Sequence, residues 1–153
     1  MVCLGKALSG GFYPVSAVLA DNFIMDHIKP GQHGSTYGGN PLGAQTAITA
    51  LDVLIEEGMI ENSAKQGDKL INNLKKIIKG DQLKEIRGRG LFIGVEFHNE
   101  EYAYALSRKM LELGLIAKPT QKTTIRFSPP LVITDGQLDE ATSIIEKAWN
   151  SIK

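Results

Sequence analysis

Gly5-Lys6-Ala7-Leu8-Ser9-Gly10-Gly11 places a lysine where an apolar run, Met1 to Leu4, gives way to small, flexible residues. An ammonium at the end of a buried strand is costly unless it is paired or put to use, and a desolvated lysine amine becomes available for carbonyl chemistry. An ordinary exposed lysine in a glycine-rich turn would look the same in the sequence. Lys6 therefore needs company from elsewhere in the chain before it reads as a nucleophile. The stretch is a poor Walker phosphate loop, because Ala7 follows the lysine and no glycine precedes Gly5 at the required distance.

The totals set the class. A chain of 153 residues, 42% of them hydrophobic, suits one or two small compact units with a proper core. Lys+Arg 17 balances Asp+Glu 17, so charge gives no reason to expect nucleic acid or an acidic membrane as partner. The cluster Lys75-Lys76 with Lys79 is expected on a solvated helix face. The one cysteine, Cys3, excludes an internal disulfide and fits a reducing compartment; between Val2 and Leu4 it is expected to be a small buried strand residue. No apolar run approaches the ~20 residues that cross a bilayer, and the start is too short to read as a targeting peptide. A chain opening directly on a strand is expected to have been preceded by something.

Working outward, Val15 to Ala20 reads as a short strand, and Asn22 to Ile28 as a short helix capped by Asp21. Lys29 to Pro41 is a long run of turn-formers, a length more often functional than structural. Asn40-Pro41 is a strong helix start. Ala44, Ala47, Ile48, Leu51, Leu54 and Ile55 then recur at helical spacing, and Gly58 supplies the stop. A second helix is predicted from about Glu61 to Lys79, with Ala64, Leu70, Ile71, Leu74, Ile77 and Ile78 inward. Strands follow over Leu83 to Ile86 and Leu91 to Phe97. A helix then carries Ala103, Leu106, Met110 and Leu113 on one face. Leu115 to Lys118 and Thr124 to Ser128 read as strands. The capping box Thr134-Asp135-Gly136-Gln137 opens a last helix, with Leu138, Ala141, Ile145, Trp149 and Ile152 on one face. The pattern is α/β or α+β in two parts, dividing near Gly58.

Two further stretches carry polar groups that packing does not ask for. His33-Gly34-Ser35-Thr36-Tyr37-Gly38-Gly39-Asn40 runs into a helix start, where converging backbone N–H groups and two hydroxyls can hold a phosphate dianion. The alternative is a flexible glycine loop in which Asn40 merely caps the helix. Arg126 lies in an otherwise uncharged strand; facing a site it can grip a carboxylate with two parallel hydrogen bonds, and facing solvent it is an ordinary strand arginine. His27, His33 and His98 lack metal-ligand spacing. Ser9 and Ser35 lack the G-x-S-x-G elbow.

An amine, a phosphate-cradling loop and a carboxylate-gripping arginine together point to pyridoxal-phosphate chemistry on an amino acid. Gly5 to Gly11, continuing through Tyr13-Pro14-Val15-Ser16-Ala17-Val18-Leu19, resembles the lysine region of class III aminotransferases. Ile28-Lys29-Pro30-Gly31 with His33 to Leu42 resembles the ornithine aminotransferases among them. So do Arg87-Gly88-Arg89-Gly90-Leu91, Gly114-Leu115-Ile116-Ala117-Lys118-Pro119-Thr120 and Ile125-Arg126-Phe127-Ser128-Pro129-Pro130-Leu131. The resemblance runs from end to end.

It implies an α/β, fold-type-I aminotransferase-like chain. Residues 1–58 would be the end of the large cofactor-binding domain with its linking helix, and 59–153 a small carboxyl-terminal α+β domain. It implies Lys6 as the lysine forming a Schiff base with pyridoxal 5'-phosphate, and Ser35 and Thr36 as cofactor-binding, reaching the phosphate of the neighbouring subunit in a homodimer. It implies Arg126 as binding the carboxylate of glutamate or 2-oxoglutarate. The reaction implied is transfer of the δ-amino group of L-ornithine to 2-oxoglutarate, in the mitochondrial matrix or cytoplasm. Such enzymes carry a large amino-terminal part holding the aspartate at the pyridine nitrogen, the ring-stacking aromatic and most ornithine contacts. The chain is accordingly expected to be a carboxyl-terminal portion, inactive alone and with apolar surface exposed. The alternatives are another class III transaminase, acting on acetylornithine or 4-aminobutyrate, and a non-catalytic fragment associating with the full-length subunit. The wording His33-Gly34-Ser35-Thr36-Tyr37 favours ornithine.

Overall fold

Gly58, at φ 61°, ends one helix, and the chain separates there into two units, Met1–Gly58 and Met59–Lys153. The computed structural model describes residues 1–153. No helix is long and apolar enough to cross a membrane.

In the first unit β1 (Val2–Leu4) and β2 (Ala17–Leu19) pair antiparallel, with Cys3 opposite Val18. Between them Lys6–Ser9 form one 3-10 turn, closed by Gly10 at φ 65°. Cys3 is exposed rather than buried, because no other element of this unit covers the two-stranded sheet. The short helix α1 (Asn22–Met25) is shorter than its sequence predicts, and Asp21 makes no side-chain cap bond. Its end tightens: the His27 and Ile28 N–H groups reach only the carbonyls of Ile24 and Met25, three residues back.

α2 (Pro41–Glu56) begins where the sequence places it. The Asn40 side chain accepts from Gly43 N–H at 2.8 Å and donates to the Tyr37 carbonyl at 2.8 Å, tying the preceding loop to the helix. The apolar period is present, but the face it marks is only partly buried. Gly43 and Ala47 are covered, whereas Ile48, Leu51 and Ile55 are exposed.

The second unit is an open-faced sandwich. Its elements are α3 (Met59–Ile77), β3 (Leu83–Arg89), β4 (Phe92–Phe97), α4 (Glu100–Glu112), β5 (Lys118–Thr120), β6 (Thr124–Phe127) and α5 (Asp135–Asn150). The strands form one antiparallel sheet in the order β3-β4-β6-β5. Strand alternation sends Ile93, Val95 and Phe97 of β4, with Ile125 and Phe127 of β6, to one face. There they pack with Leu70 and Leu74 of α3, Leu106 and Met110 of α4, and Leu138 and Ile145 of α5. Trp149 is fully buried and stacks on Phe97 with centroids 5.8 Å apart.

Four local expectations are corrected. β3 continues through Gly88 to Arg89, because the tight turn after it brings Phe92 and Ile93 so close that a Cβ on Gly88 would lie 2.7 Å from the Phe92 carbonyl oxygen. β5 begins at Lys118, where the expected strand ended. Leu115 N–H closes α4 by bonding the Met110 carbonyl, and Ser107 Oγ holds the Ala117 carbonyl at 2.6 Å, so pairing starts only opposite Arg126. β6 ends at Phe127. Ala64 of α3 and Leu113, which lies just past the end of α4, are exposed.

The capping box of α5 forms as expected, with Gln137 N–H donating to Thr134 Oγ1 and Thr134 N–H to Gln137 Oε1.

Candidate active-site residues in the two units

Lys6 is one of three non-glycine residues with positive φ, at 52°, and it opens the 3-10 turn directly after β1. A left-handed conformation costs a side-chain-bearing residue about 1 kcal/mol or more. The turn is held from behind. Ser9, 2% exposed, donates its hydroxyl to the Tyr13 carbonyl and accepts from Tyr13 N–H at 3.1 Å, while Gly10 and Gly11 both take positive φ. Set aside in the sequence for lacking an elbow motif, Ser9 is the buried pin of this turn. Lys6 itself is exposed rather than desolvated, since nothing in this unit covers the end of β1.

Lys6 lines an open cleft of about 1190 Å³, whose walls include Tyr13, Ser16, Ser35, Asn40 and Gly43. The loop from Ser35 reaches it by a specific turn. Ser35 Oγ accepts from Gly38 N–H at 3.0 Å, and a Cβ at Gly38 would stand 2.9 Å from that of Ser35, so glycine is required there on steric grounds. Because Ser35 Oγ is only an acceptor in this bond, its hydrogen remains available to a ligand oxygen. Lys6 and Ser35 therefore share one cleft, with the start of α2 as its floor. Thr36 is exposed and does not line it.

Arg126 belongs to the second unit. It alternates out of the core onto the open face of the sheet, opposite Gly94 of β4 and Lys118 of β5. It lines a recess there with Arg87, Arg89, Phe92, Thr120 and Thr124. Its guanidinium carbon lies 5.9 Å from the centroid of the Phe92 ring, and it enters no salt bridge. The carboxylates of this face are taken up elsewhere. Glu96 accepts from Lys84 at 2.6 Å and from Arg87 at 2.5 Å, and Arg87 also reaches Glu85 at 2.9 Å. Lys84 first and Arg87 second hold the Glu96 carboxyl below its usual range. Phe92 was not singled out in the sequence. Its outward place in an alternating strand was the available signal. A largely apolar cleft of about 570 Å³, which Arg126 also lines, lies in this unit between α5 and the segments 115–118 and 126–130.

With this geometry in view, likeness to known proteins is informative. Residues 1–149 match the family model of class III aminotransferases. A probable mitochondrial ornithine aminotransferase of Caenorhabditis elegans is 52% identical over 147 residues, covering 96% of this chain and 35% of that protein. The structure of a Toxoplasma gondii ornithine aminotransferase, described with partial occupancy of PLP at its active site, superposes with a TM-score of 0.91. It is 40% identical and covers 98% of this chain and 36% of its own. An acetylornithine aminotransferase of Elizabethkingia anophelis superposes at 0.89 with 48% identity, covering 98% of this chain and 40% of its own. The chain thus spans little more than a third of the length of these relatives. The two-unit α/β architecture is the carboxyl-terminal part of the fold-type-I aminotransferase. By its sequence from 1 to 149 and by its backbone, the chain belongs to the class III aminotransferase family.

Proposed function

We propose that this chain is part of an ornithine aminotransferase, transferring the δ-amino group of L-ornithine to 2-oxoglutarate and yielding glutamate 5-semialdehyde and glutamate. The observation that carries the reading is Lys6, held at positive φ in an open cleft that it shares with Ser35 and the Gly38-Gly39 turn. The exposed amine fits the aldehyde end of pyridoxal phosphate, and the Ser35 hydroxyl hydrogen beside glycine backbone fits a phosphate oxygen. Residues 1–58 belong on this reading to the large cofactor-binding domain, and 59–153 form the small domain.

Pyridoxal phosphate, when bound, supplies a conjugated ring that accepts the electron pair left when a substrate C–H bond breaks. The chain's own residues do the rest. Lys6 is the amine nucleophile that attaches the cofactor, and as a free amine it takes the proton from the donor's carbon and returns it. Ser35, through its free hydroxyl hydrogen, and Thr36 serve the phosphate of a neighbouring subunit, which makes the complete site the property of a homodimer. Arg126 binds the carboxylate of glutamate or 2-oxoglutarate through two N–H donors.

The similarity to an acetylornithine aminotransferase, at 48% identity and a TM-score of 0.89, favours one second reading, in which N-acetylornithine is the donor. Rates of amino transfer to 2-oxoglutarate from L-ornithine, N-acetylornithine and 4-aminobutyrate, measured on the complete subunit carrying this sequence, separate them. Preference for L-ornithine supports the first reading and preference for N-acetylornithine the second. If 4-aminobutyrate is preferred, or no donor is used, both fail.

A further inference from the structure

Arg126 has two diagonal neighbours on the open face of the sheet. β4 and β6 pair Gly94 with Arg126 and Glu96 with Thr124, while Ile93, Val95 and Phe97 point into the core. Phe92, Gly94 and Glu96 therefore share the open face with Arg126. Diagonal positions in an antiparallel pair are within reach of long side chains. Opposite Arg126, Gly94 has no side chain to hold it in place, so the guanidinium is free to lean toward Phe92 or toward Glu96. Glu96, however, is already held by Lys84 and Arg87 and offers no free negative charge to a third cation. The structure has the arrangement toward Phe92, with the guanidinium carbon 5.9 Å from the Phe92 ring centroid, within the range of a cation–π contact.

We propose that Phe92 is a positioning residue for Arg126, its ring restraining the guanidinium on the open face of the sheet while leaving the N–H donors free for a substrate carboxylate. The proposal rests on the reading of Arg126 as the carboxylate-binding residue. Two observations support it. Phe92 is 64% exposed on the face opposite the core, so packing does not account for it. Glu96 is satisfied by Lys84 and Arg87 from the β3 side, which leaves Arg126 without a carboxylate partner inside the chain. An aromatic face restrains a guanidinium without consuming any of its N–H donors, whereas a glutamate would occupy them.

The test uses the complete subunit carrying this sequence, with the glutarate dianion as probe, following the Arg126 side-chain N–H signal by NMR. In the unaltered chain that signal moves as glutarate is added. Phe92→Ala and Phe92→Leu weaken glutarate binding by about fivefold, and Phe92→Tyr keeps it. The backbone spectrum of each variant reports that the core is intact. Unchanged affinity in Phe92→Ala, with Arg126→Ala still abolishing binding, overturns the positioning role and leaves the carboxylate reading standing. Binding indifferent to Arg126→Ala, or no response in the unaltered chain, overturns the carboxylate reading and the proposal with it.

Discussion

Residue identity and residue environment diverge most at Lys6. Its position after an apolar run suggested a desolvated amine, yet the side chain is exposed, and what distinguishes it is a backbone at φ 52°. A lysine in that conformation, next to glycines that would adopt it at no cost, is a local expense without a local return. Arg126 differs in the opposite sense: alternation alone places it outward, and its lack of an acidic partner depends on Lys84 and Arg87 holding Glu96. Charge elsewhere is plainly structural. Asp135, in the first turn of α5, accepts from Lys65 at 2.9 Å and Lys69 at 3.0 Å on α3. These ammonium groups, Lys65 foremost, lower its carboxyl from 3.8 to about 2. A folded-state value below the unfolded one means that the stabilisation is complete above pH ~4 and disappears as pH falls toward about 2. Asp135→Asn should accordingly lower Tm by a small, constant amount at neutral pH, and the gap to the unaltered chain should close on acidification. A gap independent of pH across that window would contradict the pairing.

At the scale of elements, the β3–β4 turn is seated against α3 by two glycines. A Cβ built on Gly67 would lie 2.2 Å from the carbonyl carbon of Gly90, and Gly90 needs φ 53°. Backbone cannot yield as a flexible side chain can. Gly67→Ala is expected to destabilise the chain by about 1–3 kcal/mol in urea unfolding despite its better helix propensity, and a stabilised variant would show that the contact is not obligatory. Neither partner of this contact is visible in the sequence, where Gly67 looks like a mere weakness in a helix. What was legible is what local physics decides. Asn40-Pro41 and Thr134 with Gln137 announce their helices, and alternation from Leu91 to Phe97 gives β4 its inward face. Pairing that depends on distant partners was not legible. β5 starts at Lys118 because Ser107 and Met110 occupy the preceding backbone, and the Phe92–Arg126 contact requires the register of β4 against β6. Of the candidate site, the residue types at Lys6, Ser35 and Arg126 could be read directly. That Ser35 shares a cleft with Lys6 while Thr36 does not could not, since it turns on a bond between Ser35 and Gly38.

For the whole molecule, the two units are unequally built. The second holds nearly all of the buried apolar side chains, around Trp149 and Phe97, whereas in the first Ala47 is the one buried hydrophobic. Val2, Leu4, Val18 and Leu19 of the sheet and Leu42, Ile48, Leu51 and Ile55 of α2 are exposed, a large apolar surface for a unit of this size. The chain belongs to the class III aminotransferases and spans little more than a third of the relatives named above, and Lys6, the proposed nucleophile, lies in the less enclosed unit. The central claim is that Lys6 is the amine to which pyridoxal phosphate attaches. Borohydride reduction of the complete, cofactor-loaded subunit carrying this sequence, followed by peptide mapping, tests it directly. The account predicts a phosphopyridoxyl label on Lys6; a label on another lysine, with the Lys6 peptide unmodified, would contradict it.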